Sequence, residues 1–318
     1  MGDVRLDERG RWFVERIVAK HSLVLKTVGG DRAGELALNR YLGHADITPA
    51  GILAPHVART AAAARGRRIV VPQDTTEVNF AGRARRRRDL GPAGDGVSPG
   101  FFAHVLIGVD ADTEDVLGPV GAEIWTRPLD RGEDRAAATD TRAFEEKESW
   151  RWLSGARTAA DVLAGAAQRI VTGDRENDIY ACFAGRPAGV ELIVRAAQNR
   201  RLADGASVKT AAADWPLLAR CAVAVAAKPA GAKGGPTPAR TARVELRAGR
   251  ITVLPPKGRK DEPGIELSLV VASEVDAPAG VEPLLWRLLT TLPVTTAALA
   301  AEVVRLYRLR HAGRMPPA

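Results

Sequence analysis

The stretch Ile69-Val70-Val71-Pro72-Gln73-Asp74-Thr75-Thr76-Glu77-Val78-Asn79-Phe80 decides how this chain is read. It follows Arg65-Gly66-Arg67-Arg68, where a long segment of helical texture ends. Its β-branched opening packs well on a pleated surface and loses side-chain freedom in a helix, so a strand is predicted. Asp74 falls where the continuous apolar run stops. An acid there stands at a sheet edge with its carboxylate in reach of solvent. One such Asp is ordinarily a solvated surface group, so its meaning depends on what else reaches the same edge.

Reading outward, His104 to Asp110 and Val116 to Trp125 are two more strand candidates, joined by a polar turn from Asp110 to Asp115. A long helix is predicted from about Glu145 to Gln168, then a short strand from Arg169 to Asp174. Three strands, a helix and a strand is the order of an α/β, ribonuclease-H-like core. Its first strand is central and its fourth lies beside it, so Asp74 and Asp174 would project to one edge. From about 187 to 280 the chain is Pro/Gly-rich and strand-like, which predicts an all-β insertion. Thr295 to Arg310 reads as an amphipathic helix with a Thr start signal, returning to the first fold. Upstream, Arg11 to Val18, Asp31 to Leu42 and an Ala-rich run through Ala64 predict helices, with Asp46-Ile47-Thr48-Pro49 as a start signal. The expected domains are a helical domain (1–65), the first part of the core (66–186), a β-rich insertion (187–282) and a returning core helix (283–318).

Composition bounds the partners. At 318 residues there is ample chain to bury a core. No apolar run approaches the ~18 residues of a membrane helix, and no charged start precedes an apolar export segment. A cytoplasmic protein without membrane contact is expected. Cys182 and Cys221 lack metal-ligand spacing and are expected as buried free thiols. The net charge of +8 and pI near 9.9 favour a polyanionic partner. Of the 46 basic residues only eight are Lys, an Arg bias that coding composition alone can produce, so clustering says more than the total. Arg83 and Arg85 to Arg88 form one run; Arg240, Arg243, Arg247, Arg250, Lys257, Arg259 and Lys260 form another zone. The five histidines show no metal-ligand spacing, and Gly231 to Gly235 lacks the strand-to-helix context of a phosphate cradle.

Two aspartates meeting on adjacent strands can share divalent cations, and hard oxygen ligands suit Mg²⁺, with Mn²⁺ as a substitute. A pair of such ions stabilises the attacking and leaving oxygens of phosphodiester cleavage. Val71 to Phe80 resembles the first-Asp segment of the D-D-E transposases of the bacterial insertion sequence four family. Asp89-Leu90-Gly91-Pro92 and Gly100 to Asp110 are similar to the segment that follows it there, and Glu146 to Trp152 to the family's helix entry. Val171-Thr172-Gly173-Asp174-Arg175-Glu176-Asn177-Asp178-Ile179-Tyr180 is similar to its second-Asp motif, and Glu282 to Val294 with Tyr307 to Arg310 to the approach to its Tyr-Arg-Glu-Lys signature.

The resemblance implies a transposase that binds transposon terminal repeats, cleaves their ends with metal, and joins them to target DNA. It also implies Asp74 and Asp174 as catalytic metal ligands, and Trp286 as the stacking partner of a base flipped from the transposon end. Tyr307 and Arg310 would grip phosphate near the cleavage site, and Arg195 would reach toward it from the insertion. The N-terminal helices would recognise the transposon end, and full-length members pair as homodimers. The signature's Glu would fall at 314, which is Arg314, and its Lys beyond the last residue. A C-terminally truncated form is expected, with an incomplete two-metal site and no pairing segment, that binds DNA without cutting it. The alternative expectation is a non-catalytic remnant or an inhibitor of transposition.

Overall fold

The computed structural model describes residues 3–80, 90–94, 96–128, 142–227 and 236–311. The chain divides into two compact units, Met1–Arg59 and Thr60–Ala318. The Arg83 to Arg88 run, the Gly231 to Gly235 loop and Arg314 lie outside the described residues.

The first unit is helical: α1 (Val4–Lys20), α2 (Leu25–Gly29), α3 (Arg32–Leu42) and most of α4 (Pro49–Ala63). The starts of α1, α3 and α4 are each set locally by a side chain that satisfies an orphan backbone N–H, whereas Val24 before α2 offers no such cap. Asp3 accepts from the Arg5 N–H (2.8 Å), Asp31 from Gly34 (2.7 Å) and Thr48 from Gly51 (3.0 Å). A Cβ added at Gly34 would sit 2.2 Å from the Gly29 carbonyl oxygen, so α2 and α3 touch backbone to backbone and only glycine fits. The core is small, with Val28, Leu38, Tyr41 and Ile47 buried. No residue of α1 is fully buried; Phe13 meets Tyr41 edge-on at 6.2 Å, while Arg9 and Arg16 flank the Trp12 ring at 5.4 and 5.9 Å.

The second unit is α/β. Its strands are β1 (Arg68–Asn79), β2 (Gly91–Pro92), β3 (Pro99–Asp110), β4 (Val116–Trp125), β5 (Gln168–Gly173), β6 (Val190–Arg195), β7 (Ala219–Val225), β8 (Arg240–Val253), β9 (Ile265–Val275) and β10 (Leu285–Thr290). Among the described residues they form one mixed sheet in the order β2-β3-β1-β5-β6-β10-β9-β8-β7, with β4 on β3. β1 runs antiparallel to β3 and parallel to β5, and β6 continues parallel to β5. β10, β9, β8 and β7 then add antiparallel strands.

Both faces are covered, which explains the near-continuous apolar runs. Val70, Ile170, Ile193 and Leu288 share one cluster with Val303, Val304 and Leu306 of α7 (Ala297–Arg308). Ile69, Val71, Val171 and Leu192 share the other with Ala156 and Ala159 of α5 (Trp150–Val162). A short α6 (Tyr180–Ala184) adds Tyr180 and Phe183 to that second cluster. Each fully buried Ile, Val or Leu contributes about 1.5–3 kcal/mol.

The structure corrects three boundaries. The helix predicted from Glu145 to Gln168 spans only Trp150–Val162. Before it, Phe144–Glu146 is a 3₁₀ turn, and Glu148 accepts two hydrogen bonds from Arg127 at 2.7 Å each. After it, Gly165 turns the chain so that its carbonyl accepts from the Gly66 N–H (2.9 Å) and Gln168 enters β5. Val190–Arg195, expected within the insertion, is a strand parallel to β5. Leu285–Thr290, expected within the returning helical segment, is strand β10 between β6 and β9. The basic zone is also not a free positive surface. Arg240, Arg243, Arg247, Arg250 and Arg259 each pair with a carboxylate, Glu274, Asp276, Glu245, Glu266 and Glu262 respectively.

Candidate carboxylate centre

Pro72 of β1 lies opposite Thr172 of β5 in the last pair of their parallel register, so Asp74, still within β1, and Asp174, just after β5, stand at the same level. Ligand sites of open α/β sheets lie at such carboxyl ends. Asp74 is in the part of β1 paired only with β3, opposite Val105, and is exposed. Asp174 follows β5 and caps a 3₁₀ turn, its carboxylate accepting from the Glu176 N–H at 2.8 Å. One nitrogen lies within ion-pair distance of both: Arg310 Nη2 is 3.7 Å from Asp74 Oδ2 and 3.9 Å from Asp174 Oδ2. The two oxygens are therefore no further apart than the sum of those distances. The Arg310 side chain is only 9% exposed, and its Nη1 donates to the Tyr307 hydroxyl (3.2 Å).

Tyr307 is buried, which raises its phenol pKa, while the charges of Arg310 and Arg195 oppose the rise. Arg195, the last residue of β6, donates to the Leu285 carbonyl (3.2 Å). Burial lowers its pKa first, then the charge of Arg175, with Arg310 adding to the effect and Tyr307 and Asp174 opposing it. Arg195, Tyr307 and Arg310 thus share one electrostatic environment with Asp174. Trp286 is 6% exposed, and its ring meets Tyr307 edge-on at 5.2 Å and 73°. It is the second residue of β10, opposite Ala272 of β9, and in this structure the indole belongs to the core cluster shared with α7.

Several residues around the pair went unread in the sequence. Glu176 has its pKa raised by burial and then by the charges of Asp174 and Asp74, so a third carboxylate feels both. Gln73 Nε2 donates to the Trp152 carbonyl (3.1 Å), which turns its Oε1 toward His104 Nε2 (3.1 Å). His104 Nε2 therefore carries the proton, and Nδ1 accepts from the Thr75 hydroxyl (2.9 Å). The Thr75 N–H in turn donates to Asp74 Oδ1 (2.9 Å). Gly155 makes room for this relay, because a Cβ there would meet Gln73 Oε1 at 2.3 Å. The alternation of β1 and β3 shows that Gln73 and His104 are polar residues at inward positions, a signal visible in the sequence.

Burial and then the charge of Arg151 push His104 down to about 4, with Asp174 opposing. In the unfolded chain the imidazole titrates near 6.5. Below that pH the unfolded state binds a proton that the native state refuses. The stability His104 contributes is thus complete above about pH 6.5 and lost as pH falls toward about 4, up to ~3 kcal/mol. Urea unfolding at about pH 7 and about pH 4.5 should show a smaller acid loss for His104→Gln than for the parent chain. Equal losses would show that this histidine is not the titrating group.

Beside the carboxylates is a cleft of about 340 Å³ whose lining includes Thr75, Phe102, Trp125 and Glu176. Phe102 and Trp125 stack at 5.4 Å, with Arg127 4.2 Å over Phe102 and Arg151 3.6 Å over Trp125. At the other end of β1, Glu302 is engaged by Arg68 (2.9 Å) and Arg305 (2.7 Å), so it belongs to an ion-pair network away from Asp74. Cys182 is buried, which pushes its thiol up to about 12, whereas Cys221 is only half-buried; both are free. Among the described residues, no helix is long and apolar enough to cross a membrane, and no group of three or more His, Cys, Asp or Glu is placed to hold a metal. No protein-family model matches the chain.

Proposed function

We propose that this chain is a transposase-type DNA-binding protein that engages transposon-end DNA and brings a carboxylate pair to the phosphodiester. The observation that carries the reading is the approach of Asp74 and Asp174 to one cationic nitrogen where the parallel pairing of β1 with β5 ends. The strand order β4-β3-β1-β5-β6, antiparallel then parallel, supports a ribonuclease-H-like core. The chain's excursion through β7, β8 and β9 before β10 returns beside β6 supports an insertion. The net charge of +8 suits a nucleic-acid partner.

The residues fit one divalent cation. Mg²⁺ keeps several waters and binds through one or two carboxylates plus substrate phosphate, and the Arg310 guanidinium already stands where such a charge would sit. When bound, that ion would polarise the phosphodiester and acidify an attacking water. Asp74 and Asp174 would hold it, and the Thr75–His104–Gln73 relay fixes Thr75, whose backbone N–H donates to the Asp74 carboxylate. A second ion needs further acids, and the position expected for the third carries Arg314. Binding without cleavage is the reading we favour.

Labelled duplexes carrying a transposon end, incubated with the full chain, test both halves. Affinity should fall by about 10³–10⁵ between about 50 and 200 mM salt if 6–10 phosphates are contacted. No nicked or hairpin product should appear with Mg²⁺ or Mn²⁺. Salt-insensitive or absent binding would remove the DNA reading. A product abolished by Asp74→Ala would show that the chain cuts.

A further inference from the structure

The Arg310 guanidinium occupies the point on which both carboxylates converge, and it does so almost fully buried. We propose that Arg310 is a built-in competitor for the divalent cation of this pair, and that it yields the position only when a phosphate group draws the guanidinium away. The inference rests on the Asp74–Asp174 pair being a cation site.

Arginine cannot give up its charge in a protein. A metal ion and this guanidinium therefore cannot share the two carboxylates without like-charge repulsion at close range. Arg195 and Arg175 add to the positive field, since their charges act on one another at this centre. The guanidinium must move before the ion enters, and a planar five-donor fork leaves one anion most readily for another of matching geometry. Phosphate is such an anion, accepting two parallel N–H bonds. Arg310 can release the carboxylates without crossing the molecule, because it stands at the end of α7, in the 3₁₀ turn Leu309–His311. Metal and phosphate binding then become positively coupled, and linkage makes the coupling reciprocal. The chain would stay metal-poor until a nucleic-acid backbone arrives.

Mn²⁺ titration followed by the electron paramagnetic resonance of the free ion reads this without any turnover. Arg310→Gln should bind Mn²⁺ tighter than the parent chain by roughly 5- to 150-fold, the ordinary span of coupling. Adding Asp74→Asn to that variant should abolish the gain. Dimethyl phosphate should tighten Mn²⁺ binding to the parent chain and have no effect on Arg310→Gln. Arg310→Lys, which keeps the charge, should stay close to the parent. The dimethyl phosphate arm uses the parent chain alone, so the test stands even where a variant folds poorly. If the parent chain binds Mn²⁺ in an Asp74-dependent way but Arg310→Gln and phosphate change nothing, the competition is wrong and the cation site survives. If no Asp74-dependent Mn²⁺ binding appears in any form, both fall.

Discussion

Asp178→Ala is expected to destabilise the protein by about 3–5 kcal/mol, the cost of leaving a buried charge without its partner. The Asp178 side chain is fully buried, and it accepts from the backbone N–H groups of Ala197 and Gln198 at 2.7 Å each. Arg200, 11% exposed, donates Nε to the same carboxylate at 2.8 Å and Nη2 to the Asp178 carbonyl. Alanine at 178 strands one guanidinium and two backbone donors at once. Replacing both partners by alanine should cost less than the two single losses combined, because no charge is left alone. The consequence reaches the carboxylate centre, since Asp178 ties the turn after Asp174 to the exit of β6. Guanidinium chloride unfolding of Asp178→Ala gives the value. A loss under about 1 kcal/mol would mean that the segment relaxes to hydrate Arg200.

Trp286→Ala is expected to cost about 3–5 kcal/mol of stability, as large-to-small changes at buried aromatics do. The indole is 6% exposed, belongs to the cluster beneath α7 and meets the Tyr307 ring edge-on. Trp286→Phe should lose far less, because most of the ring volume stays. The same pair of variants separates two roles. A stacking platform for a base contributes ~1–3 kcal/mol per base to binding, and its removal weakens DNA binding while leaving the fold intact. Binding measured per folded molecule, beside the unfolding free energy, distinguishes them. Unchanged stability with weakened DNA binding would show that the indole leaves its core packing to stack.

Much of the framework was legible because it rests on short-range rules. β1, β3, β4 and β5 lie within a few residues of their predicted positions, since β-branched runs and polar turns act locally. The start of α7 follows from Thr296, whose side chain accepts from the Leu299 N–H (3.2 Å). The α5 boundaries were not legible. Glu145 to Gln168 has helical composition throughout, but an ion pair to Arg127 and a turn against Gly66 end the helix at both sides. The place of β6 beside β5 and of β10 beside β6 depends on pairings across the chain, to which sequence texture is blind.

The strand–helix order, the helical character of the first unit, the surplus of positive charge and the place of Asp174 just after β5 could be read from the chain alone, whereas Asp74, expected at a strand end, lies within β1. Those follow from side-chain shape, capping chemistry and formal charge, which each residue carries wherever it sits. Which charges cancel depends on contacts made in three dimensions. Arg240 and Glu274 are far apart in the chain yet hydrogen-bonded across strands, and Trp286 is enclosed because α7 packs over its face of the sheet and brings Tyr307 against the indole. Arg310 meets Asp74 and Asp174 because a helix on one face of the sheet ends at the carboxyl edge of two parallel strands. Coulomb interactions and burial depend on distance in space, and the folded register alone sets those distances.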